Sequence, residues 1–147
     1  MTDSPWGSAT ELAPMTGADL HWFAWSVALD LPGVAQSRPF GPDYEVFKVG
    51  GKVFVMTTVV RGTPIVTLKC EPEHAVALRQ QFGTITAGYH MNKRHWTSVA
   101  AGAGVSRGLV EELVRNAYLL VVDRLPRAKR PDLPSARNLH ESSPTSS

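Results

Sequence analysis

The chain has 147 residues, of which 43% are hydrophobic, and its 15 basic and 13 acidic residues give a formal charge of +2. A chain of this length buries roughly 68–70% of its unfolded surface, so it can build one hydrophobic core without disulfides or metals. The single cysteine, Cys70, excludes an intramolecular disulfide and a four-cysteine zinc site, and it predicts a reducing, cytoplasmic setting.

The sequence shows neither the pattern of a secretory signal nor that of a membrane-spanning helix. Its first basic residue is Arg38, whereas a secretory signal begins with a positively charged stretch. No apolar run approaches the ~20 residues that a membrane-spanning helix needs. We therefore expect no membrane association.

The charge is unevenly distributed. A formal charge of +2 is too small to indicate nucleic-acid binding by itself, because many ordinary domains are as basic. Residues 79–130, however, contain nine cations and three anions, a formal charge of +6. The positive field therefore lies in the C-terminal half of the chain.

The two ends have the composition of disordered segments. Residues 1–15 are polar and lack periodicity, and residues 134–147 are rich in serine and proline. Between them, residues 16–133 form one predicted domain. This domain opens with Thr16 and Asp19, an N-capping pattern that predicts a first helix near residues 17–30.

Three segments rich in β-branched and aromatic residues follow, at residues 44–49, 52–60 and 64–70. The pair Gly50-Gly51 and the triplet at residues 61–63 separate them as turns. This pattern predicts a three-stranded antiparallel meander.

The remaining segments complete an α+β pattern. Pro72 predicts the start of a second helix of about ten residues, and residues 96–101 can form a fourth strand. Ser106 caps a long helix with a 3.6-residue apolar period, which ends at Leu125-Pro126. The order α-βββ-α-β-α predicts a two-layer sandwich in which helices cover an antiparallel sheet of at least four strands.

The most chemically rich segment is the motif at residues 88–96, GYHMNKRHW. It combines two histidines, an asparagine, two cations and two aromatic residues, but no carboxylate that could act as a general base. This composition indicates a binding surface rather than a catalytic site.

Together with several other segments, the motif resembles the MmcQ/YjbR family of small bacterial proteins. The resemblance is carried by residues 28–34, 39–42, 44–54, 68–73, 88–96 and 123–127. It implies a CyaY-like two-layer fold and a DNA-binding role, with a bent sheet and loops that form a double-wing surface.

We therefore predict a non-enzymatic protein without a cofactor that binds DNA mainly through phosphate, with weak sequence specificity. Lysine and arginine contact phosphates, and aromatic rings stack on bases. The predicted nucleic-acid or anion-binding residues are Lys69, His90, Asn92, Lys93, Arg94, His95, Arg127, Lys129 and Arg130, and the candidate stacking residues are Tyr89 and Trp96.

Several alternatives remain open. Trp96 and Tyr89 suit a half-buried strand position as well as a stacking role, and Arg127, Lys129 and Arg130 suit a solvated surface. A zinc site or a nucleophilic Cys70 paired with a histidine would need imidazole and thiolate groups close together. Other functions are a protein adaptor that uses Trp22 and Trp25 of the first helix, and a small-anion or nucleotide-binding protein.

Overall fold

The structure, a computed structural model, describes residues 15–88 and 94–131. The helices are α1 (Gly17–Leu29), α2 (Pro72–Gln81) and α3 (Arg107–Arg124), and a 3₁₀ turn, Arg127–Lys129, follows α3. The strands are β1 (Val34–Ser37), β2 (Glu45–Val49), β3 (Lys52–Val60), β4 (Thr63–Lys69), β5 (Ile85–Ala87) and β6 (Trp96–Ala100).

The six strands form one antiparallel sheet in the order β1-β2-β3-β4-β6-β5. The predicted two-layer α+β sandwich is confirmed, because α1 and α3 pack against each other and against the central strands. The seven predicted elements are all present. The prediction omitted β1 and β5, the two edge strands: β1 is mostly exposed and polar, and β5 has only three residues.

Local chemistry fixes the helix ends. Thr16 and Asp19 form the predicted capping box, in which the Asp19 amide donates to the Thr16 hydroxyl at 3.0 Å and the Thr16 amide donates to the Asp19 carboxylate at 3.2 Å. Pro72 occupies the first turn of α2, where its missing N–H costs nothing. Ser106 accepts a bond of 3.1 Å from the Leu109 amide at the start of α3.

The core lies between the helices and one face of the sheet. Phe47, Phe54 and Leu68 are each at most 1% exposed. Tyr118 of α3 meets Phe54 edge to face, with ring centroids 5.4 Å apart. Its hydroxyl donates to the Pro32 carbonyl at 2.5 Å, so α3 is tied to the segment between α1 and β1.

Most of the two ends predicted to be disordered, residues 1–15 and 134–147, falls outside the described residues. Met15, the first residue described, is 5% exposed and belongs to the core. Among the helices in residues 15–88 and 94–131, none has the length and apolar character required to cross a membrane.

Tyr118 should make stability depend on alkaline pH. Burial raises the pKa of Tyr118 to about 12, whereas an unfolded tyrosine ionises near pH ~10. Below pH ~10 this group's contribution to stability is fully present, and it declines as pH rises toward 12 because only the unfolded chain loses the proton. Tyr118→Phe removes this pH dependence together with a hydrogen bond. At pH 8 the variant should therefore be less stable than the wild type by about 0.5–1.5 kcal/mol.

Urea unfolding followed by circular dichroism between pH 8 and 11.5 tests this prediction. The stability difference between the wild type and Tyr118→Phe should shrink as pH rises above 10. A constant difference across the range would contradict it.

Candidate functional site

A groove of about 350 Å³ lies where one end of the sheet meets the C-terminal end of α3. Three cations line it: Lys52 from β3, Lys69 from β4 and Arg124 from α3. None of the described lining residues is acidic, so their formal charge is +3. Such a cleft concentrates the positive field and attracts anions.

Strand pairing places Lys69 beside the end of the motif. Lys69 lies directly opposite Trp96 in the β4–β6 pair. The Cys70 amide continues the ladder by donating to the His95 carbonyl at 2.8 Å. Trp96 and Lys69 both line the groove, and the Lys69 Nζ lies 5.3 Å from the centre of the indole ring. This distance is within the range of a cation–π interaction.

The 3₁₀ turn after α3 packs beside the same groove. Gly50 has a φ of 59°, and a Cβ atom there would lie 2.5 Å from Leu125 Cδ1 and 3.1 Å from the Lys129 carbonyl oxygen. The turn that leads into Lys52 therefore contacts the segment that carries Arg127 and Lys129. The predicted basic flank therefore begins beside the groove.

Arg130 has a different role from its neighbours. Its Nε donates to the Leu125 carbonyl at 3.0 Å and its Nη2 donates to the Asp123 carbonyl at 3.2 Å. These carbonyls belong to the end of α3, where unpaired oxygens carry a partial negative charge. Arg130 thus offsets the negative charge of the helix end beside the groove, and its predicted contact with nucleic acid stays a prediction.

The predicted residues of the motif other than Trp96 are not among the described residues that line the groove. Arg94 lines another cavity, of about 490 Å³, with Glu73 and Arg79 of α2. Tyr89, His90, Asn92 and Lys93 lie outside the described residues, so their roles stay predictions.

Sequence reasoning missed Lys52 and Arg124 as groove residues. Arg124 is explained equally well by the favourable interaction of a cation with a helix C-terminus. Lys52 follows a turn and has the pattern of an ordinary solvated lysine. No local pattern connects residues 52, 69, 96 and 124, which come together only through the sheet and α3.

A second cavity, of about 220 Å³, shares Lys69 with the groove but also contains Cys70, Glu71 and Asp123. Cys70 Sγ lies 3.8 Å from His74 Nδ1. Burial, together with repulsion from Glu71, raises the pKa of the Cys70 thiol. This environment favours the inert thiol over the nucleophilic thiolate.

Within residues 15–88 and 94–131, no group of three or more histidine, cysteine, aspartate or glutamate side chains is arranged to hold a metal ion.

The aromatic residues of α1 behave differently from one another. Trp25 Nε1 donates to the Thr57 hydroxyl at 2.8 Å, so this residue ties α1 to the sheet. Trp22 is 65% exposed. The adaptor interpretation therefore depends on Trp22.

The two ends of the motif contact each other. Gly88 is buried, and its amide donates to the Trp96 carbonyl at 3.0 Å. A Cβ atom on Gly88 would lie 2.6 Å from Trp96 Cβ and 3.0 Å from its carbonyl carbon and oxygen. Glycine is required here because the backbone of Trp96 approaches so closely.

The comparisons with known proteins agree with this architecture. The YjbR family model matches residues 29–120, which include Lys52, Lys69 and Trp96. The chain belongs to the YjbR family. YbdF of Escherichia coli O157:H7 is 42% identical over 113 residues, covering 77% of this chain and 93% of YbdF. YjbR of Escherichia coli K12 is 34% identical over 99 residues, covering 67% of this chain and 84% of YjbR.

Solved structures show the YjbR-type fold as well. The crystal structure of Deinococcus radiodurans DR2400, described as a DUF419 domain, aligns with a TM-score of 0.66 and 34% identity, covering 78% of this chain and 84% of that chain. A Pseudomonas syringae protein aligns with a TM-score of 0.54 and 24% identity, covering 59% and 86% of the two chains, and supports the fold alone.

Gly88→Ala should destabilise the protein by about 1–3 kcal/mol, because the new methyl group meets backbone atoms that cannot rotate away. Gly83→Ala is the matched control, since a Cβ atom there meets nothing within 4 Å. Urea unfolding should place the control within about 1 kcal/mol of the wild type. Equal stability of the two variants would contradict the close contact at Gly88.

Cys70 should react slowly with a thiol reagent in the native protein. Because burial raises its pKa, labelling by a disulfide reagent at pH 7 should be slower than in guanidinium-unfolded protein by about tenfold or more. Cys70→Ser, which has no thiol, measures the background signal of the reagent. A native rate equal to the unfolded rate would restore the nucleophilic interpretation.

Proposed function

We propose that the protein binds DNA, mainly through phosphate groups and with weak sequence preference. The observation that carries this proposal is the groove lined by Lys52, Lys69 and Arg124 without an acidic residue among its described lining. Three cations held in one cleft repel one another, and a phosphate placed between them relieves that repulsion.

The surrounding surface extends this charge. Arg127 and Lys129 lie on the 3₁₀ turn that packs against the Gly50 turn. Arg130 offsets the negative end of α3 through its two bonds to backbone carbonyls. An anion approaching the groove therefore meets cations rather than an uncompensated helix terminus.

Weak specificity follows from the kind of contact. Lysine and arginine bound to phosphates set affinity and position but carry no direct sequence information. Sequence reading needs side chains that a helix or ribbon inserts into the major groove. The proposed surface consists of strand ends, a helix C-terminus and a turn, which suit a backbone contact.

Burial lowers the pKa of His21 and raises the pKa values of Cys70 and Tyr118. The ring of His21 contacts the Ile65 carbonyl at 3.1 Å and Tyr118 bonds to Pro32, so both serve the fold. We place this function in the cytoplasm, with which the single cysteine is consistent.

The binding test uses fluorescence anisotropy with a labelled 20-base-pair duplex and its single strand at two salt concentrations. The wild type should bind at micromolar concentration, with log K falling by about 0.9 per neutralised phosphate as log salt rises. Lys52→Gln combined with Arg124→Gln should weaken binding and reduce that slope by about 0.9, because the two cations are proposed to contact the same phosphate. Two unrelated sequences should bind alike.

The matched control is Arg61→Gln combined with Arg115→Gln. It removes the same charge from the other end of β3 and from α3 about 13–14 Å along the helix axis from Arg124. This control should retain the wild-type slope. Absence of duplex and single-strand binding by the wild type at low salt would reject the proposal, and equal losses in both double variants would reject the groove as its site.

The contribution of the motif is tested with Lys93→Ala combined with Arg94→Ala. A reduced salt slope would add the motif to the surface, whereas an unchanged slope would confine binding to the groove and its flank. Trp22→Leu should bind like the wild type. Loss of binding in that variant would move the contact to α1.

A further inference from the structure

We propose that the groove binds one unpaired nucleotide of a single strand, with its base against Trp96 and its phosphate between Lys52 and Arg124. This inference rests on the proposed function, because it assigns the ligand of the same groove. It goes further by making the protein prefer unpaired over paired nucleic acid.

The walls of the groove are the first reason. Beside the three cations, Val53, Val121 and Pro126 line it together with Trp96. Contact between apolar walls and a phosphate does not add to the free energy of binding, because the phosphate interacts favourably with water and cations. Contact between these walls and a base or sugar does add to it, because apolar surface of both partners is removed from water on binding. The lining thus matches a ligand with both an anionic and an aromatic part.

The size of the groove is the second reason. Its volume of about 350 Å³ lies near the lower limit of pockets that enclose small ligands, roughly 300–1,000 Å³. A groove of this size suits a single nucleotide. A stretch of duplex backbone would instead lie across its mouth and leave the interior empty.

The third reason is the pairing of Trp96 with Lys69. Trp96 is only partly buried, although it begins β6, which pairs with a strand on each side. The Lys69 ammonium lies over the same indole ring, 5.3 Å from its centre. A base that stacks on this face takes the place of the ammonium, and the flexible lysine side chain stays within reach of the edge of that base. A base that stacks on the indole would find in Lys69 a donor for its ring nitrogen or carbonyl acceptors.

Single strands are favoured because a paired base is already stacked and hydrogen-bonded inside the duplex. It would have to be unpaired and turned outward before it could enter the groove. Stacking on one aromatic residue corresponds to a change in affinity of about 5- to 150-fold. We expect a difference of that size between strands with and without bases.

The test compares three labelled ligands by anisotropy: a 12-nucleotide single strand, its blunt duplex, and an abasic strand with the same number of phosphates. The wild type should bind the normal strand about 5- to 150-fold more tightly than the abasic strand. Trp96→Leu should remove most of that difference. Trp22→Leu makes the same chemical change on α1 and should behave like the wild type.

The possible failures are distinguishable. Equal, salt-sensitive binding of the normal and abasic strands by the wild type would overturn this inference and leave the phosphate-binding proposal intact. Absence of binding to all three ligands would overturn both. Displacement of the strand by micromolar thymidine monophosphate would overturn the strand assignment and make a free nucleotide the ligand. The comparison of ligands on the wild type does not depend on how the variants fold, and Trp96→Phe, which retains a ring, should keep part of the difference.

Discussion

The antiparallel pairing of β4 with β6 is the contact on which the groove depends. Helix α2, strand β5 and residues 88–95 of the motif lie between these two strands in the chain, and the pairing brings Lys69 opposite Trp96. A buried hydrogen bond of 2.8 Å between the Thr67 and Ser98 hydroxyls supports the register. A slip of one residue would turn every β6 side chain to the opposite face of the sheet. The position of the basic groove is therefore a consequence of strand register.

Elements with local signals could be predicted from the sequence. The capping box at Thr16, the proline at the start of α2 and the serine cap of α3 each determine a boundary through neighbouring residues. Strands β1 and β5 could not be predicted in this way. They depend on pairing with β2 and β6, and neither contains enough alternating apolar residues to indicate a strand without that partner.

The candidate site was predictable only in part, because some of its residues come together only through tertiary packing. The sequence indicates Lys69 because it ends a recognisable strand, and it indicates Trp96 because this residue belongs to the motif. Lys52 and Arg124 complete the groove from distant positions, and their proximity follows from packing of α3 on the sheet. The neighbouring cavity shows why composition alone is a poor guide. It also contains Lys69, yet Glu71 and Asp123 reverse the sign of its charge.

Trp96 takes part in two structures at once. Its carbonyl accepts the Gly88 amide that closes the β5–β6 hairpin, and its side chain lines the groove. Any occupant that favours this position of Trp96 also favours closure of the hairpin, and thermodynamic linkage makes the effect reciprocal. Binding of such an occupant would therefore slow hydrogen exchange at the Gly88 amide, although Gly88 does not line the groove.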